Sequence, residues 1–461
     1  MKICFGIQTR NSQRRSSLTD LCVFCLICLF CGVSSQAQAP SQAPAVYAIT
    51  HAKIFTLAGE TIDDGTVVIR DSRIAAVGAQ VTVPQGAQVI DAKGLQVYPG
   101  LFDSVTQMGL REIGAVSATV DTTETGSFNP DAVASTAVSP SSEHIPVTRA
   151  AGITEVLAVP ASGGFDSGGS QGILGGQASA IQLAGWTIED MLLKKSAAMV
   201  LNWPKFETRM LDRTTFTRTE KPFSEAKQEY EKNVNELTDW FERARHYSQA
   251  MEKSTTANFN RDVKLEALAP VIRGELPLLV FAERAREIRN AVEFCEGQKV
   301  RMILAGGAEA YKVKDLLRSK SVPVILLPPL TLPLDEDDPY DRLLAQPAEL
   351  AAADVKFAFA SFDNSFSRRL GQNAANAVAH GLPYEEALRA VTLYPAQIFG
   401  LADQVGTLEE GKIANIIITN GDPLELTTDV RYLFIRGQLT STDNKQQALY
   451  EKYSKRPKPA N

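Results

Sequence analysis

The sequence predicts an α/β protein built on a (β/α)8 barrel, with additional β-structure at both ends. The chain has 461 residues, a length that suits a barrel with an appended module better than one ordinary domain. Between about residues 100 and 400, short apolar strands alternate with helical runs, which is typical of parallel β/α units. The segments on either side of this region show β-patterns only.

Residues 1–37 are predicted to be a signal peptide. Four basic residues precede an apolar run at 21–33, and this run is short for a membrane span but typical of an export signal. The small-x-small pattern at 35–37 is a suitable cleavage site. We therefore expect an exported protein, periplasmic or secreted, in which 38–45 is a linker. An uncleaved anchor and export by the twin-arginine route, suggested by Arg14-Arg15, are the alternatives.

Charge and cysteine content narrow the classes of partner. The net charge is −6, and it becomes −9 when the basic segment 1–37, which contributes +3, is removed. Such a chain is not expected to bind nucleic acid or, after cleavage, a membrane. We expect a small-molecule ligand or substrate, and a homo-oligomer is compatible with the sequence. Outside the signal segment the chain contains Cys295 alone, which excludes an internal disulfide and a cysteine metal cluster there.

The terminal segments 46–98 and 403–440 consist of short predicted strands. In the first, strands at 66–70 and 73–78 flank Asp71-Ser72 and predict a hairpin. In the second, 416–419 is an apolar strand and 430–439 predicts a strand and hairpin. The remainder, 441–461, is expected to be a tail.

The region 99–402 supplies the predicted barrel. Its candidate strands are 154–159, 278–282, 302–304, 324–327 and 356–360. A highly charged insertion at about 221–253 carries apolar residues at spacings of three and four, which predicts a long amphipathic helix. This helix could be a packed arm, a lid or a dimer surface, and a packed arm is the simplest interpretation.

The run Pro99-Gly100-Leu101-Phe102-Asp103 resembles the first barrel strand of the amidohydrolase superfamily, where a similar run leads into His-x-His. The segments 393–401 and 406–415 also resemble this superfamily, and the imidazolonepropionase-like amidohydrolases are the most similar subgroup. The resemblance implies a barrel beside one β-sandwich built from 46–98 and 403–440. It also implies hydrolysis of non-peptide C–N bonds with the help of a divalent metal, zinc or manganese.

The two histidine positions of this motif hold Val105 and Gln107. Residues two apart on a strand point to the same side, so His-x-His presents two imidazoles to one ion. Valine offers no lone pair, and glutamine offers only a neutral amide oxygen. The resemblance places further ligands after strands five, six and eight, where this chain has Glu283, no ligand, and Asp363, respectively.

Four residues are therefore candidate site residues. Asp363 matches the carboxylate that is metal ligand and general base in active relatives, although it could equally be a helix N-cap. Gln107, Glu283 and His144 are candidate binding residues, and Asp363 and Glu283 are the candidate ligands of any single metal. His144 could act as an acid or base or be structural. The glycine-rich segment 163–176 is expected at the barrel mouth, as an active-site loop or an anion site.

Two functions follow from these expectations. The first is an exported amidohydrolase-like enzyme that cleaves non-peptide C–N bonds in small amides or cyclic amides, with most metal ligands replaced. The alternative is a catalytically inactive barrel that binds a small molecule, because activation of water at neutral pH normally needs the metal.

Overall fold

Strands from the two chain ends combine in one eight-stranded mixed sheet of this computed structural model, which describes residues 46–160, 172–212, 217–253 and 260–456. The N-terminal segment contributes β1 (Val46–Ile54), β2 (Ile62–Arg70), β3 (Arg73–Gly78), β4 (Gln88–Asp91) and β5 (Gln96–Pro99). The C-terminal segment contributes β16 (Ile416–Thr419), β17 (Val430–Ile435) and β18 (Gln438–Thr440). Their order is β18-β17-β16-β5-β1-β2-β3, with β4 paired to β1.

The predicted hairpin is present, with Arg70 opposite Arg73 and Asp71 in the left-handed region at φ 55°. An aspartate tolerates this conformation better than most residues. The antiparallel pairing of β16 with β5 joins the two ends of the chain. The terminal segments thus share one sheet, and the two-layered sandwich stays a prediction.

A second eight-stranded sheet forms an almost closed barrel. Its strands are β6 (Leu101–Thr106), β7 (Ile153–Ala158), β8 (Leu174–Gln182), β9 (Leu192–Asn202), β12 (Leu278–Ala282), β13 (Met302–Gly306), β14 (Val324–Leu326) and β15 (Phe357–Phe359). They follow one another in sequence order, and a separate hairpin consists of β10 (Arg209–Asp212) and β11 (Thr217–Glu220). The two edges of the barrel sheet meet where the Phe362 N–H donates to the Val105 carbonyl over 2.9 Å.

One barrel strand departs from the predicted parallel arrangement. β8 runs antiparallel to both of its neighbours, β7 and β9, whereas the other neighbouring strands are parallel. Residues 183–191 connect β8 to β9. A parallel crossover needs a dozen or more residues, so this connection is too short for one.

Helices follow most of the barrel strands, and one further helix lies near the C-terminus. They are α1 (His144–Arg149), α2 (Ile188–Met191), α3 (Phe223–Lys253), α4 (Val263–Ile272), α5 (Ala285–Gln298), α6 (Lys314–Ser319), α7 (Arg342–Ala352), α8 (Leu370–Ala379), α9 (Tyr384–Ala390), α10 (Leu393–Ile398) and α11 (Lys445–Ser454). Within the described ranges, no helix has both the length and the apolar character required to cross a bilayer.

The charged insertion forms the single long helix α3, which buries Leu237, Phe241 and Ala244. The Phe241 ring meets the Phe294 ring of α5 edge-on, with centroids 5.3 Å apart. This face therefore packs against the barrel's outer helices. The predicted signal peptide, the linker, the 163–171 part of the glycine-rich segment and residues 457–461 lie outside the described residues. α11 lies in the segment expected to be a tail.

Candidate functional site

Three of the four predicted site residues follow the C-terminal ends of barrel strands, the face on which such barrels carry their active sites. Gln107 follows β6, Glu283 follows β12 and Asp363 follows β15. The Thr106 hydroxyl donates to the Asp363 carbonyl over 2.8 Å, so the chain at Gln107 and at Asp363 is close together. Glu283 lies three strands from Asp363 in the sheet order.

Glu283 carries a carboxyl group with an unusual environment. Burial raises its pKa to about 7, while a hydrogen bond from the Ala308 N–H to Oε2 and the positive charge of Lys205 oppose this rise. The absence of a side chain at Gly306 leaves room for Oε1, because a Cβ there would overlap it. A carboxyl group with a pKa near neutrality at a barrel mouth is a candidate acid–base residue.

Asp363 uses one carboxylate oxygen for local structure. Its Oδ1 accepts hydrogen bonds from the N–H groups of Ser365, at 2.6 Å, and Phe366, at 2.9 Å. These bonds close a local turn, but Asp363 is not a helix N-cap, because Phe366 and Arg369 hold the N-cap positions of the two helical segments that follow. Its role in binding or catalysis stays a prediction.

His144 is the first residue of α1 and faces the loop after β6. Its Nε2 lies 3.1 Å from the Glu112 carbonyl oxygen and 4.0 Å from Glu112 Oε2. This ring therefore ties α1 to the loop at the barrel mouth. The contacts favour a structural role without testing the predicted binding role.

A buried carboxylate that sequence reasoning did not assign lies next to these residues. Asp103, in the middle of β6, is fully buried, and its Oδ1 accepts a 2.9 Å hydrogen bond from the Ser361 N–H. The Ser361 hydroxyl donates to Oδ2. Burial raises the Asp103 pKa to about 7 against these hydrogen bonds. An acidic residue inside an apolar strand is the sequence signal that could have identified this link between the first and last strands.

Comparisons with known proteins show which family this chain resembles. The sequence profile described as the amidohydrolase family matches residues 290–442. A protein of Hapsidospora irregularis named Amidohydrolase tasK is 24% identical over 374 residues, which are 74% of this chain and 36% of that protein. This chain is therefore similar to members of the amidohydrolase superfamily. It spans about a third of the length of that curated relative.

Solved structures share the fold of this chain. A structure of an amidohydrolase from Thermotoga maritima MSB8 gives a TM-score of 0.72 at 23% identity, covering 86% of this chain and 99% of the other. A prolidase complexed with N-methylphosphonate-L-proline gives 0.51 at 16% identity, with the same coverage of both chains. At these identities the structural likeness supports the barrel fold and not a particular substrate.

The residues of this chain do not fit the metal that the amidohydrolase superfamily typically uses. Val105 is fully buried in an apolar cluster with Phe281 and Phe362, whose ring centroids are 6.2 Å apart at 89°. The sixth barrel strand, β13, ends at Gly306-Gly307, and glycine has no side chain that could bind a metal. A zinc ion needs three or four nitrogen, sulfur or oxygen ligands. The positions corresponding to those ligands are therefore partly occupied by side chains that cannot coordinate.

Within the described ranges, one group of three acidic residues has carboxylate oxygens close enough to share an ion. Glu309, Asp335 and Asp338 have one oxygen each within 4.8 Å of the others. Lys312 lies 2.8 Å from Glu309 Oε1, and Arg284 lies 3.0 Å from Asp335 Oδ1. This acidic cluster is a candidate metal position, but cationic side chains already balance two of its three carboxylates.

Asn415 forms hydrogen bonds to two separate parts of the fold. Its Nδ2 donates to Oε1 of the buried Glu155 on β7. Its Oδ1 accepts from the Arg436 N–H over 2.8 Å. An aspartate could not donate to Glu155. The amide therefore lets one side chain join a barrel carboxylate to the terminal sheet.

Proposed function

We propose that this chain is a hydrolase of non-peptide C–N bonds in small amides or cyclic amides, with Glu283 as its general acid–base residue. Similarity to the amidohydrolase superfamily supports the reaction class. The single observation that carries the proposal is the Glu283 carboxyl group, whose pKa burial raises to about 7 at the C-terminal end of β12. Such a group can both accept and release a proton at neutral pH.

The proposed reaction needs one proton acceptor that later becomes a donor. Ionised Glu283 accepts a proton from water as the water oxygen bonds to the amide carbon and negative charge develops on the carbonyl oxygen. The C–N bond then breaks as protonated Glu283 returns the proton to the leaving nitrogen. The products are a carboxylic acid and an amine, or one ring-opened molecule from a cyclic amide.

Lys205 supplies the positive charge in this proposal. It follows β9 by three residues, is exposed, and acts on the Glu283 pKa through its charge. A cation beside the reacting carbonyl stabilises the oxyanion that forms in the transition state. No step is assigned to a metal, because Val105 on β6 and Gly306-Gly307 at the end of β13 offer no side-chain metal ligand.

A panel of small amides, lactams and cyclic imides tests the proposal. We expect the wild-type protein to hydrolyse at least one class, and Glu283→Gln to lose about a hundredfold or more of the rate, the usual contribution of a general acid or base. Glu410→Gln, at an exposed carboxylate of the C-terminal segment, is the matched control and should retain the wild-type rate. Full activity in Glu283→Gln together with loss in Asp363→Asn would transfer the role to Asp363.

The alternative function, small-molecule binding without catalysis, is favoured by one observation. Val105, Phe281 and Phe362 fill the barrel interior with apolar side chains at the position of the superfamily's first histidine. If no substrate class is hydrolysed while one of the same compounds raises the melting temperature, the binding function replaces the enzymatic one.

We also propose that the protein is exported and acts on a small molecule in a periplasm or outside the cell. The support is the basic and apolar pattern of residues 1–37. Expression of the full chain in a bacterium, followed by fractionation and N-terminal sequencing, tests this proposal. A mature protein that begins at Gln38 is the expected result, and an uncleaved cytoplasmic chain would contradict it.

A further inference from the structure

A cavity of about 710 Å³ lies at the N-terminal ends of four barrel strands. Pro277, Arg301, Pro323 and Lys356, which line it, immediately precede β12, β13, β14 and β15. Glu283 and Asp363 follow the opposite ends of the first and last of these strands. The cavity is therefore separate from the proposed reaction site, and its volume is that of a small-molecule site.

The inner wall of this cavity is apolar. Val292 of α5, Met302 of β13, Leu317 of α6 and Val355 line it and are buried in the hydrophobic core. A ligand that fills the cavity would contact the accessible parts of Val292, Met302 and Val355, while Leu317 lies fully buried behind them.

The outer part of the cavity carries the positive charges of Arg301 and Lys356, which are held by neutral hydrogen-bond acceptors. Arg301 donates to the carbonyl groups of Gly274, at 2.9 Å, and Glu275, at 2.7 Å. Lys356 donates to the Gln397 amide oxygen over 2.6 Å. Within the described part of the chain, neither cation forms an ion pair with a carboxylate.

Other lining cations are already paired, and some acidic groups lie nearby. Lys320 forms an ion pair with Glu296, and Arg318 is 3.8 Å from Asp315. Both cations lie at the C-terminal end of α6, where positive charge is also favourable for the helix. Asp354 lines the cavity as well. The excess positive charge is therefore concentrated at Arg301 and Lys356.

A third cation approaches the cavity from the first residues of β9. Lys194 donates to the Phe399 carbonyl over 2.9 Å, beside the lining residue Ile398. Burial lowers the Lys194 pKa, the charge of Arg301 lowers it further, and Asp403 acts in the opposite direction. An anion bound at the cavity would reduce this repulsion between Arg301 and Lys194.

We propose that this cavity binds an organic monocarboxylate with an apolar body, whose carboxylate contacts Arg301 and Lys356. The apolar wall accounts for the body of the ligand, and the two cations account for its charge. The site lies at the opposite end of the barrel from Glu283, so binding does not depend on the proposed hydrolysis.

Calorimetric titration of the full chain with octanoate tests the proposal, with octylammonium as a probe of equal chain length and opposite charge. We expect saturable binding of octanoate only. Lys356→Gln should weaken it about tenfold, the effect of one lost charge-assisted hydrogen bond. Lys445→Gln, at an exposed lysine of α11, is the control and should leave the affinity unchanged.

Two further variants test where octanoate binds on the protein. Arg301→Gln should also weaken octanoate binding, with circular dichroism to check the fold, since Arg301 bonds two backbone carbonyls. Glu283→Gln should bind octanoate as the wild type does. No saturable octanoate binding, equal binding of octylammonium, or unchanged affinity in Lys356→Gln would each overturn the proposal. Loss of binding in Glu283→Gln would place octanoate at the other face and would overturn it too.

Discussion

Hydrogen bonds to single buried carboxylates connect the parts of this protein. Glu155 on the barrel strand β7 accepts from Asn415 in the C-terminal segment, and Asp103 accepts from Ser361 across the barrel seam. A buried acid remains compatible with folding when donors surround it. The residue types on both sides of each contact are therefore set by hydrogen-bond donation rather than by packing alone.

Asn415→Asp should destabilise the protein because it replaces the donor to Glu155 by a second acid. We expect a loss of roughly 2 kcal/mol in the free energy of unfolding at neutral pH, the order of a hydrogen bond to a charged group. Urea unfolding measures it, and Asn444→Asp is the control because aspartate caps α11 equally well. Unchanged stability in Asn415→Asp would contradict the role given to this contact.

At the scale of the element, the long helix α3 depends on a narrow apolar face. Phe241→Ala removes a fully buried ring that meets Phe294 and should cost about 3–5 kcal/mol. Glu242→Ala, at the exposed neighbouring residue, should change stability by less than about 0.5 kcal/mol. Equal effects in urea unfolding would show that α3 is not packed through this face.

The antiparallel strand β8 requires a glycine near its start. Gly176 has φ +103°, and a Cβ there would lie 2.8 Å from the Ala132 carbonyl oxygen. Gly176→Ala should therefore destabilise by about 1–3 kcal/mol through backbone strain. Gly297→Ala, in α5 with open space around it, should be neutral or slightly stabilising. Thermal unfolding compares the two, and equal melting temperatures would contradict the strained geometry.

The elements that could be predicted from sequence are those with a local signal. Asp71-Ser72 predicts the β2–β3 hairpin, and apolar runs predict β12 through β15. The direction of β8 could not be predicted, because its pairing depends on β7 and β9 and not on its own composition. Glycines at 175 and 176 predicted a loop, although they begin a strand that passes close to another backbone.

At the scale of the whole molecule, three carboxyl groups with raised pKa values should give an unusual pH dependence. Burial raises the pKa of Asp103, Glu155 and Glu283 to about 7, above their values in the unfolded chain. The folded state then binds more protons than the unfolded state between about pH 4.5 and 7, so stability should fall as pH rises through this window. The melting temperature should therefore be higher at about pH 5.5 than at about pH 8.

Glu155→Gln should reduce this slope, because its amide cannot ionise, while Glu410→Gln should leave it unchanged. A melting temperature that rises with pH across the same window in the wild-type protein would contradict the raised pKa values. Differential scanning calorimetry at constant ionic strength measures both variants.

The candidate site could be predicted only in part, for reasons that belong to the whole barrel. The sequence places Gln107, Glu283 and Asp363 at strand ends, and the topology brings them to one face. The local sequence could not show that Asp363 Oδ1 closes a local turn or that burial raises the Glu283 pKa. It also could not show that Phe281 and Phe362 fill the interior, because their contact joins two distant strands.

The most direct test of the central claim is the rate of amide hydrolysis against pH after the purified protein has been treated with a strong chelator. We predict that hydrolysis persists and that its rate depends on an ionisation near pH 7. Glu283→Gln should lose both the activity and this pH dependence. Activity that is lost on chelation and restored by zinc or manganese, with Glu283→Gln still active, would contradict the central claim.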